Sequence, residues 1–148
     1  MSTESSESTG RDRFSELAVG ACAVTKRTIT DTDIVLFAAV TGDLNPVHID
    51  QAHATQSRFG ERIAHGMLTA GFISATMAMH VPGPGSVYVS QSLRFVRPAK
   101  IGDTITTRVE IVERIATKRY VRVATTCHNQ VGKLVLDGEA VVLIPRED

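Results

Sequence analysis

This 148-residue sequence has only two cysteines and no net charge, and each of these features excludes a class of function. The two cysteines, Cys22 and Cys127, form no C-x-x-C pair, which excludes the zinc and thiol-exchange sites that such pairs build. We expect two buried, reduced thiols. Sixteen basic side chains balance sixteen acidic ones, without the basic stripe that binding a phosphate backbone requires, so we expect no nucleic-acid partner.

Long apolar runs are also missing. The stretch from Met1 to Arg13 is rich in Ser, Thr and Glu and lacks the apolar core of a secretory signal. We therefore interpret residues 1–13 as a flexible tail on a cytoplasmic protein. The most apolar segment, Gly66 to His80, is fifteen residues long, short of the about 20 that a membrane-spanning helix needs. We expect no membrane anchor.

The composition is typical of a protein with one packed core. Apolar residues make up 43% of the chain and charged residues 22%, as in ordinary soluble domains. A chain of 148 residues is long enough for one core and too short for two domains of typical size. We therefore predict a single domain over residues 14–148.

The first part of this domain carries helix signals. Thr30, followed three residues later by Asp33, is typical of a helix start, and Gly42 is typical of a helix end. A weaker pattern of small and β-branched residues predicts a short strand within residues 15–28. The inner face of the helix is predicted to consist of Ile34, Phe37, Ala38 and Val40.

The rest of the chain predicts a sheet and a helix for it to cover. Asp50 can cap a short helix that runs to about Ser57. The segment Gly66 to His80 has almost no polar face, so it must be buried on all sides. A sheet curled around this helix would bury both, which predicts an α+β fold. Alternating apolar residues place antiparallel strands over 86–96, 103–117, 118–128 and 133–144.

Two short segments concentrate the chemistry-bearing residues: Thr41 to His48, and Ile63 to Leu68. Asp43 and His48 lie five residues apart across a turn imposed by the Asn45-Pro46 pair, so one water can bridge their side chains. A carboxylate beside an imidazole suits proton transfer in both directions. The plainer interpretation is that Asp43 caps local amides and His48 is a satisfied buried histidine.

Gly66 stands at the start of the apolar helix. Its N–H belongs to the first turn, where no helical carbonyl accepts it, and the helix dipole adds positive character there. Glycine also lets a ligand carbonyl approach the backbone closely, so this amide is a candidate oxyanion donor. A tight turn into a buried helix would explain the same glycine.

These segments resemble a known family. The run G-D-L-N-P-V-H-I-D over residues 42–50 and A-H-G-M-L over 64–68 are similar to the motif of the MaoC-like, (R)-specific enoyl-CoA hydratases. A third match is Q-S-L-R-F over 91–95, with Pro98 and Gly102-Asp103 after it. The resemblance covers about residues 30–144 and does not reach residues 1–13.

The resemblance implies a hot-dog fold, in which an antiparallel sheet wraps a central helix. It also implies hydration of a trans-2-enoyl-CoA to a (3R)-3-hydroxyacyl-CoA, with reversible dehydration. Asp43 and His48 match the catalytic pair, and Gly66 matches the oxyanion-binding amide. Ser74 matches a supporting serine, and we place Asn45 and His65, which lie within the motifs, beside it.

The same resemblance implies an acyl thioester of coenzyme A or of acyl carrier protein as substrate, a homodimer at least, and no cofactor or metal. Three cations in and after the third motif, Arg94, Arg97 and Lys100, are expected to be solvated rather than to meet carrier phosphates. Apolar candidates to line an acyl pocket are Met67, Phe72, Ile73, Met77 and Met79.

Two other sites are conceivable from the residues. His48 and His53, with Asp50 between them and His65 downstream, suggest a metal site, but they lack the H-E-x-x-H context. Asp43, His48 and Ser74 suggest a hydrolytic triad, but no G-x-S-x-G elbow surrounds the serine.

Two other functions fit the same architecture. A thioesterase is the nearest enzymatic alternative, since fold alone does not decide function. A non-enzymatic acyl-thioester binding protein would need the pocket without the acid/base pair. The presence of both Asp43 and His48 favours hydration over either alternative.

Overall fold

Five strands in residues 11–147, the part of the chain that our computed structural model describes, form one antiparallel sheet in the order β1-β3-β4-β5-β2. The sheet curls around the longest helix, α5, as the hot-dog resemblance implied. The helices are α1 (Arg13–Glu16), α2 (Asp31–Thr41), α3 (Pro46–Ile49), α4 (Gln51–Gln56) and α5 (Gly66–Met79). The strands are β1 (Cys22–Thr28), β2 (Val87–Phe95), β3 (Thr104–Ile115), β4 (Tyr120–His128) and β5 (Leu134–Leu143).

The sheet follows from the alternation in its sequence. Along β4 every second side chain is buried against α5, and the same holds for the first half of β3. The four strands predicted in the second half of the chain are all confirmed, with ends that move by one or two residues. Cys127 lies on the buried face of β4 as expected. Cys22 is exposed, contrary to prediction, because it lies on the outer face of the edge strand β1.

Helix α5 fills the concave side of the sheet. Phe72, Ile73 and Met77 are buried in the core. The expectation that every side of this helix is covered was wrong for the single chain, because Met67 is 55% exposed and Met79 67% exposed. These two residues belong to one exposed stripe along the helix, Met67, Gly71, Ala75, Ala78 and Met79.

Three helices, α2, α3 and α4, make up the segment that connects β1 to α5 along the chain. We call this segment the overhang. Thr30 and Asp33 make the reciprocal capping box predicted for α2, and Gly42 ends that helix in the left-handed region with φ of 79°. Val40 points to solvent, so its place on the inner face was wrong. Asp50 caps α4 by accepting the His53 N–H at 3.1 Å.

The Asn45-Pro46 pair begins a four-residue helix, α3, where an extended or turn conformation was expected. Proline is well suited to the first helical position, because its fixed φ is helical and its missing N–H would have no partner there. The Asn45 side chain caps this helix by accepting the Val47 N–H at 3.3 Å.

The segment before β1 is fastened across one end of the sheet. Phe14 is buried, and the short strand predicted within residues 15–28 is confirmed as β1, which begins at Cys22. The Arg119 guanidinium donates to the Asp12 carboxylate at 2.6 and 3.1 Å, and Arg13 donates to Pro82 O at 3.0 Å. A tail was expected over residues 1–13, and its residues 1–10 lie outside the described residues. Contacts with the domain begin at Asp12. No helix in residues 11–147 combines the length and the apolar character needed to cross a membrane.

Candidate active site

A cavity of about 850 Å³ opens between the overhang and the loop that follows β2. It brings together four of the six predicted site residues: Asp43, His48, His65 and Gly66. Phe59, Met67 and Phe95 add apolar surface to its lining, and the buried Thr69 also lines it. Asn45 and Ser74 are not part of its lining.

His48 is held in one orientation by backbone contacts. It lies on α3, 9% exposed, and its Nδ1 is 2.8 Å from the carbonyl oxygen of Ile63. A carbonyl only accepts, so Nδ1 carries the proton, and in the neutral ring Nε2 is left with its lone pair. His48 therefore offers a proton acceptor at Nε2.

His65 connects the two motif segments. It is 2% exposed, and its Nε2 donates to the backbone carbonyl of Asp43 at 3.0 Å. Its ring stacks on His48 with 4.0 Å between centroids and lies 4.7 Å from the ring of Phe37. His65 thus fixes both the backbone of Asp43 and the ring plane of His48.

The Asp43 carboxylate both caps its own turn and lies close to the two histidines. Its Oδ1 accepts the Asn45 N–H at 3.2 Å, so it does cap its own turn. One ring nitrogen or carboxylate oxygen from each of Asp43, His48 and His65 also lies within 4.8 Å of the other two. A water with two hydrogen bonds of about 2.8 Å spans such a separation. The local cap orients a carboxylate that remains within water-bridging distance of His48.

Gly66 begins α5 beside this pair. Within residues 11–147 no carbonyl accepts its N–H, so the amide is free to bind an oxyanion. A Cβ added at Gly66 would lie 2.6 Å from Cε1 of Phe95. A larger residue at position 66 would therefore displace the Phe95 ring, and the oxyanion role of the Gly66 amide stays a prediction.

Ser74 lies in a separate, smaller cavity of about 350 Å³ between α5 and β2, with Tyr88 and Gln91. Although Tyr88 is 43% exposed, partial desolvation of its hydroxyl raises its pKa to about 12, and the phenol donates to Gln91 Oε1 at 2.7 Å. Ser74 does not join Asp43 and His48 in the larger cavity, so the single chain assembles no hydrolytic triad from these three residues.

The predicted acyl-pocket residues separate in the same way. Met67 lines both cavities. Phe72, Ile73 and Met77 are buried in the core and Met79 is exposed, and none of these four lines either cavity. Sequence could not separate them because nearly all residues of α5 are apolar.

The metal alternative loses two of its four proposed ligands. Asp50, the N-cap of α4, and His53, on α4, are exposed and do not line the cavity. Asp43, His48 and His65 are close enough to share an ion, but the two rings stack with an interplanar angle of 29°. Imidazole lone pairs lie in the ring plane, so stacked rings do not direct two of them at one ion.

Several known proteins are similar to this chain in sequence and in fold. Residues 19–132 match the model of the MaoC like domain family. A 3-hydroxybutyryl-CoA dehydratase from Methylorubrum extorquens is 46% identical over 91% of this chain and 85% of its own length. An (R)-specific enoyl-CoA hydratase from Rhodospirillum rubrum is 45% identical over 89% of this chain and 91% of its own. The solved structure of an unliganded R-hydratase from Pseudomonas aeruginosa superposes with a TM-score of 0.86 at 49% identity, covering 90% of this chain and 86% of that one.

Proposed function

Because the chain belongs to the family of MaoC-like domains, we propose that it is an enoyl-CoA hydratase, a hydro-lyase. It adds water across the C2–C3 double bond of a trans-2-enoyl thioester to give the (3R)-3-hydroxyacyl thioester, and catalyses the reverse dehydration. The observation that carries the proposal is the meeting of Asp43, His48 and the free amide of Gly66 in one cavity.

The Gly66 amide would bind the thioester carbonyl oxygen. Its hydrogen bond and the N-terminal end of the α5 dipole draw electron density from C3 and stabilise the enolate that forms as oxygen attacks. Loss of one such donor typically costs about 10²–10³ in rate, so this contact is a principal contribution to catalysis.

Asp43 and His48 would hold the attacking water between them. His48 Nε2 takes one proton from the water as its oxygen bonds to C3, and the pair returns one proton to C2, so water is added without net proton release. General acid–base help of this kind contributes about 10²–10⁴-fold.

The supporting residues position this pair. His65 holds the Asp43 backbone, and Asn45 caps α3, the short helix that carries His48. We assign Ser74 to the acyl-binding side rather than to proton transfer, because it borders the smaller cavity with Met67, which lines both cavities.

We also propose a homodimer. The exposed stripe of α5 lies beside β2, one of the two edge strands of the sheet, where Val87, Tyr88 and Val89 are all exposed. An edge strand and an apolar stripe left open in a single chain need a cover, and a second copy supplies one with the same surface on both sides.

The experiment that tests the function follows the conjugated-thioester absorbance of crotonyl-CoA after addition of the purified protein. Wild-type protein is expected to bleach this absorbance, and Asp43→Asn and His48→Gln are each expected to abolish the reaction while retaining the fold by circular dichroism. Activity should survive dialysis against a chelator, because no step uses a metal.

Either of two results would overturn the proposal. Release of free thiol without hydration would make the protein a thioesterase. Binding of crotonyl-CoA without turnover by the wild-type protein would make it an acyl-thioester binding protein.

A further inference from the structure

Two arginines border the mouth of the large cavity from different segments. Arg58 follows α4 and Arg97 follows β2, and both are exposed and line the cavity that holds Asp43 and Gly66. Arg97 was expected to be solvated, and no motif in the sequence predicted a role for Arg58. Only the fold places the two guanidinium groups at one opening.

These two guanidinium groups keep their hydrogen-bonding capacity. Within residues 11–147, neither side chain makes an ion pair or a hydrogen bond. The neighbouring cations are occupied: Arg94 pairs with Asp137, Lys100 with Glu61, and Arg62 with Asp31. Arg58 and Arg97 are thus the cations at this opening that remain available to a ligand.

Arg58 is also partly preorganised. Its guanidinium lies 4.9 Å from the centroid of the Phe59 ring, a contact that limits its motion without using its N–H donors. Among the described residues that line the cavity, Asp43 is the one acidic residue. Two free guanidinium groups at a largely apolar cavity favour an anionic ligand group with several oxygens.

We propose that Arg58 and Arg97 bind a phosphate group of the thioester's carrier, an inference that rests on the proposed function. With the thioester carbonyl at Gly66, the carrier arm must leave through the mouth of the cavity. In both coenzyme A and acyl carrier protein that arm is a phosphopantetheine. Guanidinium groups match phosphate oxygens through paired N–H donors, which makes arginine well suited to this contact.

The test compares crotonyl thioesters of four carriers: pantetheine, 4′-phosphopantetheine, coenzyme A and acyl carrier protein. The variants are Arg58→Gln and Arg97→Gln. Lys133→Gln is the matched control, since it removes the same charge from an exposed residue away from the cavity. KM and kcat are measured for each pair.

Each arginine variant is expected to raise KM for the phosphate-bearing substrates about tenfold, the usual size of one lost charge-assisted hydrogen bond. We expect kcat to stay within twofold of wild type, and KM for crotonyl-pantetheine and all values for Lys133→Gln to be unchanged. The same rise for phosphopantetheine as for coenzyme A identifies the arm phosphate, common to both carriers. A rise confined to coenzyme A identifies its nucleotide phosphates.

An unchanged KM for every phosphate-bearing substrate overturns the phosphate site, and so does an equal rise for crotonyl-pantetheine. Turnover by the wild-type protein is measured separately, so the proposed hydration is tested independently of the phosphate site. If wild-type protein turns over none of the four thioesters, calorimetric titration with free coenzyme A still tests the two arginines. Equal affinity of wild type and both variants would then exclude them.

Discussion

Arg62 donates a hydrogen bond from its Nε to the backbone carbonyl oxygen of His48 at 2.6 Å. The same guanidinium contacts the Asp31 carboxylate at 2.7 Å, and its side chain is 13% exposed. Arg62 therefore ties α3, the short helix that carries His48, to the first turn of α2. The backbone carbonyl oxygen of the next residue, Ile63, accepts a hydrogen bond from Nδ1 of His48.

Replacing Arg62 should impair turnover more than substrate binding. In Arg62→Met the His48 turn loses its clamp, and a small misplacement of the base lowers kcat, by about tenfold, with KM nearly unchanged. Steady-state kinetics with crotonyl-CoA measure this, and Arg62→Lys should recover part of kcat. Arg27→Met is the control, since Arg27 pairs with Asp33 on the same helix at 2.9 Å without touching His48. Equal losses in both variants would show that only the anchoring of α2 matters.

Gly66→Ala should destabilise the protein through Phe95. The new methyl would lie 2.6 Å from the ring, and overpacking of this kind costs about 1–3 kcal/mol of unfolding free energy. Urea denaturation measures the loss. In a Phe95→Ala background the same substitution should cost almost nothing, because the clashing ring is gone. A full loss in that background would place the strain in the backbone of α5 instead.

The Asp12–Arg119 contact should make stability depend on pH in the acid range. The hydrogen bond from Arg119 lowers the pKa of Asp12 below its ordinary value of 3.8. Its stabilisation is therefore fully present above 3.8 and disappears as pH falls through the lower value of the folded protein. Asp12→Asn should lower the melting temperature at neutral pH, and the difference from wild type should vanish in strong acid. A difference that is independent of pH would contradict the ionic origin.

The exposed stripe of α5 should control self-association. Ala75→Glu places a charge where a second copy is proposed to pack, so light scattering after size exclusion should report a smaller species than wild type. Ala39→Glu is the control, because Ala39 is an exposed alanine on a helix outside that surface. A wild-type protein that is already a monomer would rule out the dimer, as would unchanged mass in Ala75→Glu.

Local sequence signals predicted most of the architecture. Capping residues such as Thr30 and Asp50 act within three or four positions, and alternation along β3 and β4 reports one buried face directly. The motif segments likewise predicted that Asp43, His48 and Gly66 belong together, and the cavity contains all three. In each case the signal and its structural consequence are close in the chain.

The misplaced residues depend on contacts between distant segments. Cys22 is exposed because β1 is an edge strand, which composition does not reveal. Ser74 lies in the smaller cavity, apart from Asp43 and His48, because β2 borders that side of α5. Arg58 gave no signal of its own, since its position at the cavity mouth arises only when α4 packs beside the loop after β2.

His48 and His65 both donate to main-chain carbonyls, those of Ile63 and Asp43, rather than to side chains. Every amino acid carries such a carbonyl, so the alignment of the two rings does not depend on which side chain stands at position 63. Mutational drift can exchange that side chain for another of similar size and leave the imidazoles in place. The Asp43→Asn substitution likewise removes the carboxylate charge but keeps the main-chain carbonyl to which His65 donates.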